Sequence, residues 1–157
     1  MNRGFGELIL LTHLLQKLRH DLERMKTSPK DQYAAFDFFV TAEHIIDWTH
    51  PDSKPDREAL RLNVSLLRIT SHIANGAKHF EVKANRHESI SAITKERLVE
   101  VGCVEEGCFE EPLRIHLTSE EAKALNTPIT IDAISLASLV LEYWSENLGS
   151  KQKAINI

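Results

Sequence analysis

A chain of 157 residues and 17.8 kDa is long enough to enclose a core without disulfides or metals. Its 42% hydrophobic and 27% charged residues exclude a disordered or collagenous chain. A net charge of −4 excludes a polybasic, histone-like binder, because phosphate affinity rests on clustered Lys and Arg.

The first predicted helix runs from about Glu7 to Met25. Leu8, Leu11, Leu15, Leu18, Leu22 and Met25 recur at spacings of 3 and 4 and form one apolar stripe. The run Leu8–Leu15 is interrupted by Thr12 and His13, is followed by basic residues and is far shorter than the roughly 20 residues of a membrane span. With only Cys103 and Cys108, the chain reads as cytoplasmic and soluble, with no membrane partner.

Ser28 as N-cap, Pro29 at the first helical position and Asp31 in the first turn mark the second helix. It should end at Trp48 or Thr49, since His50 precedes Pro51 and is pushed out of the α region. Its middle, Ala34–Ala42, is apolar nearly all round, as in a helix inside a bundle. A third helix is expected from about Asp56 to Phe80, with Leu62, Leu66, Ile69, Ile73 and Phe80 toward the core and Gly76 as an interruption.

After residue 86 the character changes, from a net +2 over residues 1–86 to a net −6 over residues 87–157. Leu113–Leu117 alternates strictly and predicts a half-buried strand, with Arg97–Val104 as its hairpin partner. Thr118-Ser119-Glu120-Glu121 is a capping-box pattern opening a short helix that ends near Asn126. A final helix should span about Asp132 to Leu148, followed by a loose tail over 149–157. The expectation is a mainly α, single-domain helical bundle over 1–157, of about four helices, with a small β-hairpin insert at about 97–117.

Eight histidines are present, and the candidate site draws on three of them. Arg68, His72, Asn75 and His79 are spaced 4, 3 and 4 and so share one stripe of the third helix, with Lys78 beside them. On the second helix Asp37, Thr41, His44 and Trp48 form another such stripe, with Glu43 and Asp47 one position round. Placed face to face, the stripes suggest His79 or His72 as general acid or base, Asn75 as orienting amide, and Arg68 or Lys78 as anion holder. Asp47 completes the candidate catalytic set of His79, Asn75, His72, Arg68 and Asp47; Lys78, His44 and Glu43 are candidate substrate-binding residues. Such a set suits attack on a phosphodiester, or binding of an anion without chemistry. A purely structural network is the competing reading, because buried polar groups need partners.

No metal or other cofactor is assigned. His44 and Asp47 lie at i and i+3 with His72 on the next helix, but a second such pair is missing, and His72 and His79 are about 10 Å apart along a helix. Cys103-x4-Cys108 with His116 offers three ligands at an unusual spacing and is read as ordinary thiols.

The segments Phe36-Asp37-Phe38-Phe39-Val40-Thr41-Ala42-Glu43-His44-Ile45-Ile46-Asp47-Trp48 and Ser71-His72-Ile73-Ala74-Asn75-Gly76-Ala77-Lys78-His79-Phe80 together resemble a family of small bacterial proteins. That family is marked by an FFVTA-x-H-x-x-D-W helix followed by an ANGAKH-type helix. The resemblance covers roughly residues 33–82 and implies no particular activity. More loosely, the chain is similar to HEPN-domain proteins, helical bundles that often dimerise and cleave RNA in toxin–antitoxin and phage-defence systems. Their signature is an Arg, usually followed by a polar residue, with a His four to six residues after the Arg. Asn75 and His79 match the polar residue and the His, Asp47 or Glu43 could supply an acid, and Ala74 occupies the Arg position. The resemblance implies binding or metal-independent cleavage of RNA by a homodimer. The alternative is a non-enzymatic, self-associating protein that binds a small protein partner and uses these polar residues only to fix its packing.

Overall fold

A computed structural model describes residues 5–78, 89–94 and 112–155, and of residues 78 and 149–155 the backbone only. Among the described residues the chain order is α1 (Leu11–Thr27), α2 (Gln32–Thr49), α3 (Lys54–Asn63), α4 (Ser65–Lys78), β1 (Ile90–Thr94), β2 (Arg114–Leu117), α5 (Ser119–Leu125), β3 (Thr130–Asp132) and α6 (Ala133–Ile155). The fold is mainly α with one small antiparallel sheet, as the sequence predicts. It has six helices in place of about four.

Helix α1 buries Leu14, Leu15, Leu18, Leu22 and Met25, the predicted stripe from Leu15 onward. It begins at Leu11 rather than Glu7, because Phe5 and Leu8 pair across a tight turn in which Gly6 adopts φ +57°. Helix α2 starts after Asp31, not at Pro29. The Asp31 N–H donates to the Ser28 carbonyl and closes a turn there, and the Asp31 side chain then accepts from the Tyr33 N–H as the cap. Ser28 instead ends α1 through its N–H to the Arg24 carbonyl. The end of α2 at Thr49 is where Pro51 requires it.

The expected third helix is broken at Val64, which is extended (φ −115°, ψ 104°). Three interactions hold the break. Val64 donates its N–H to the Leu60 carbonyl, and its own carbonyl accepts from Leu67 and Arg68 at the start of α4. The Arg68 guanidinium turns back to donate to the Leu62 carbonyl and to Ser65 Oγ, 3.1 Å away. The break rotates α3 away from the core, so Leu62, predicted inside, is exposed. Gly76 interrupts nothing and sits within α4.

In the sheet, β2 lies between β1 and β3, both antiparallel to it. Ile115 faces Ile93 on one side and Ile131 on the other. The strand paired with β2 is therefore 90–94 and not the predicted 97–104, which lies outside the described residues; β3 was not foreseen. Half of the capping box forms: Thr118 Oγ1 accepts from the Glu121 N–H, but the Thr118 N–H donates to the Ser89 carbonyl instead of to the Glu121 side chain, and α5 ends at Asn126 in the left-handed conformation (φ 52°). Asp132 caps α6 by accepting from the Ser135 N–H at 2.8 Å. Helix α6 continues to Ile155, past the predicted end at Leu148.

One buried apolar cluster joins α1, α2, α4, β2, α5, β3 and α6, centred on Leu18, Phe38, Phe39, Ile45, Leu67, Ile69 and Leu136. Among the described residues, no helix is long and apolar enough to cross a membrane.

Candidate functional site

Helix α4 separates two concave regions, and the predicted site residues divide between them. On one side, α2, α3 and α4 enclose a polar groove of about 250 Å³ lined by Glu43, Asp47, Lys54, Arg57, Glu58, Arg61, Ser71 and Asn75. On the other side, α2, α4 and the sheet enclose a larger, mostly apolar cleft of about 500 Å³.

The groove brings together three predicted residues, Glu43, Asp47 and Asn75. Arg61 organises them: its Nε donates to Glu43 Oε1 at 2.8 Å and its Nη2 lies 2.7 Å from that oxygen and 3.3 Å from Asp47 Oδ1. Arg57 Nε stands 3.4 Å from Asp47 Oδ1, while its Nη1 donates to the carbonyls of His50 and Pro51. Ser71 Oγ donates to Glu43 Oε1 at 3.3 Å, and the Asn75 amide donates to the Ser71 carbonyl at 2.7 Å. Lys54 was missed because it precedes the predicted helix, and Arg57 and Arg61 because a single helix from 56 to 80 would carry them away from α2. Only the break at Val64 brings α3 across it.

Glu43 is 4% exposed, and its Oε2 is buried with no hydrogen-bond partner among the described residues. Burial pushes the Glu43 carboxyl above the usual carboxylate range, and the Asp47 charge adds to this, against the lowering influence of Arg61 and Ser71. A raised folded value means that native Glu43 holds its proton more tightly than unfolded Glu43. Its stabilising contribution is thus fully present below about pH 4.5 and is lost as pH rises through the folded value. Glu43→Gln stays neutral throughout. Urea denaturation of both proteins should therefore show the wild type losing stability relative to Glu43→Gln between pH 4 and pH 7; a constant difference would contradict the raised value.

Arg68 does not line the groove itself; it shares a small hollow with Glu58, Arg61 and Ser71, which do. It donates from Nε and Nη2 to the two oxygens of Glu121 on α5, the second at 2.9 Å, and this pairing holds the guanidinium above its ordinary pKa. Glu121, 5% exposed at its side chain, also accepts from Ser89 Oγ at 3.0 Å. His72 lines the cleft, and its Nδ1 accepts the N–H groups of Ser89 and Ile90 at 3.0 and 3.2 Å. His44 is exposed and lines neither region. The Lys78 side chain and His79 lie outside the described residues. Among the described residues, Asn75 and His72, neighbours on the predicted stripe, thus serve opposite sides of α4. Among the described residues, no group of three His, Cys, Asp or Glu could hold a metal ion.

The cleft was not foreseen. An all-round apolar α2 was expected to be covered all round, but Tyr33 and Phe36, spaced i and i+3, are 72% and 45% exposed at the cleft rim. Ile93 of β1 stands at the same rim, Phe39 and Ile115 lie within, and Gln32, His72 and Thr94 supply the polar atoms. Gly76 contributes bare helix backbone to the wall. A Cβ built on Gly76 meets no atom of the described residues within 4 Å.

No family model, curated protein or solved structure matches the chain.

Proposed function

We propose that the chain is a non-catalytic binding protein whose cleft between α2, α4 and the sheet takes a small, largely apolar ligand. The observation that carries this reading is the cleft: about 500 Å³, apolar within, with a few polar groups. Ligand sites of this kind measure roughly 300–1,000 Å³. The polar atoms of the candidate catalytic set support it from the other side. Arg68 is committed to Glu121, Leu62 and Ser65, His72 Nδ1 to the start of β1, and the Asn75 amide to its own helix. Self-association as a homodimer belongs to the same reading, with exposed Phe5, Ile9 and Leu10, close together before α1, as its apolar surface. A cytoplasmic setting does too.

Gly76 makes the proposal testable. Within a helix, Ala in place of Gly is worth about 0.5–1 kcal/mol, and at Gly76, two residues before the last described residue of α4, no neighbour among the described residues opposes it. Gly76→Ala should therefore raise thermal stability, while Gly76→Phe should fill the cleft. In a fluorescence titration with 1-anilinonaphthalene-8-sulfonate, the wild type should bind one equivalent, and Gly76→Phe should bind about tenfold more weakly. Absence of saturable binding by the wild type, or equal binding by Gly76→Phe, overturns the proposal.

RNA binding or cleavage in the HEPN manner is the second reading. It is favoured by one observation, the gathering of Lys54, Arg57 and Arg61 beside Asn75, Glu43 and Asp47. Under it, Arg61 would supply the cation absent at Ala74. Saturable binding of single-stranded RNA that is weakened by Lys54→Ala and untouched by Gly76→Phe would place function in the groove.

A further inference from the structure

His72 holds β1 in an unusual way. One ring nitrogen, Nδ1, accepts two consecutive main-chain N–H groups, from Ser89 at 3.0 Å and Ile90 at 3.2 Å. A nitrogen that accepts hydrogen bonds carries no proton, so the ring is neutral with its proton on Nε2. Adding a proton at Nδ1 turns two hydrogen bonds into two donor–donor contacts. Buried N–H groups that lose their acceptor are costly, and Ser89 is buried.

Among the described residues β1 pairs with β2 alone, and its register shifts between Ile90 and Ala92, beside the His72 contacts. Ser89 has two further attachments, its Oγ to Glu121 at 3.0 Å and its carbonyl, which accepts from the Thr118 N–H at 3.1 Å. Ile90, Ile93 and Thr94 form one wall of the cleft.

Most of the described elements packed around this contact carry titratable groups. Arg68 on α4 and Glu121 on α5 are paired with each other, with Glu120 adding its field to Arg68. Glu43 of α2 and Arg61 of α3 are paired on the far side of α4, and Tyr33 of α2 stands at the cleft rim. His116 of β2 is bonded to Thr94 and Thr130, while Glu142 and Glu146 of α6 are exposed. β1 carries no charged residue.

We infer that His72 is a proton-operated latch: in its neutral form it fastens the start of β1 to α4, and on protonation it releases that strand and opens the cleft wall. The latch concerns the position of β1 and stands whether or not a ligand occupies the cleft.

Ligand-free protein followed by NMR from pH 8 to pH 4 tests it. The Ser89 and Ile90 amide resonances should titrate together with the His72 ring, and their exchange protection factors should fall about tenfold or more across the same midpoint. His72→Asn supplies an amide oxygen near the place of Nδ1 that does not protonate in this range, and it should keep both amides protected at low pH. Three results overturn the inference: a ring that protonates while both amides stay protected, a ring that stays neutral to pH 4, or a His72→Asn protein that loses protection as the wild type does. If His72→Asn does not fold, the wild-type midpoints decide alone, since a latch requires ring and amides to coincide.

Discussion

Arg68→Ala is expected to lower the stability of the folded chain by about 3 kcal/mol, and its thermal midpoint by roughly 6–12 °C. The loss follows from what the guanidinium holds. Its two bonds to Glu121 tie α4 to α5, and its bonds to the Leu62 carbonyl and Ser65 Oγ secure the break between α3 and α4. Truncation leaves the Glu121 carboxylate, 5% exposed, with only Ser89 Oγ as a side-chain donor among the described residues. An uncompensated buried charge is more costly than the pair was worth, so removing both partners should hurt less than removing one. Denaturation of Arg68→Ala, Glu121→Leu and the double variant checks this. The double variant should be less destabilised than the sum of the singles. If Arg68→Ala unfolds like the wild type, the guanidinium is a solvent-facing cation and the anion-holding role returns.

The second large effect is at Phe38. Phe38→Ala should cost about 3–5 kcal/mol, while Phe36→Ala, two residues earlier on the same helix, should cost under about 1 kcal/mol. Phe38 is fully buried and meets Phe39 edge-to-face, with ring centroids 5.3 Å apart and an 80° interplanar angle. Deleting it opens a cavity where α2 packs between neighbouring helices. Phe36 points to the cleft rim, and its loss removes little buried area. Urea denaturation of the two variants measures the contrast. Similar costs would mean that the face bearing Phe36 is covered in solution, as it would be by a second copy of the chain.

Several elements were legible because their signals are local. The Leu stripe of α1 from Leu15 onward, the stop of α2 before Pro51, the Thr118 cap of α5 and the end of α5 near Asn126 each depend on a few adjacent residues, and the structure places all of them as expected. The α3–α4 break was not legible, because an Arg68 guanidinium reaching back to Leu62 is indistinguishable, in sequence, from one pointing to solvent. The fate of the polar stripe was hidden for the same reason. Spacing placed Arg68, His72 and Asn75 within one turn-to-turn line. It did not show that α5, β1 and Ser71 would each claim one of them.

The sequence by itself determined a mainly α chain, its core-facing stripes and the identity of the polar residues with partners to find, because helical periodicity and caps are set over a few residues. Tertiary structure alone decided which partners those residues met and where the concave surfaces lie. An ion pair such as Arg68–Glu121 spans 53 positions, and a cleft bounded by α2, α4 and a sheet exists only once those elements are packed. Composition excluded a polybasic binder at the outset; the fold shows in addition that the basic residues beside the groove are largely matched by Glu43, Asp47 and Glu58.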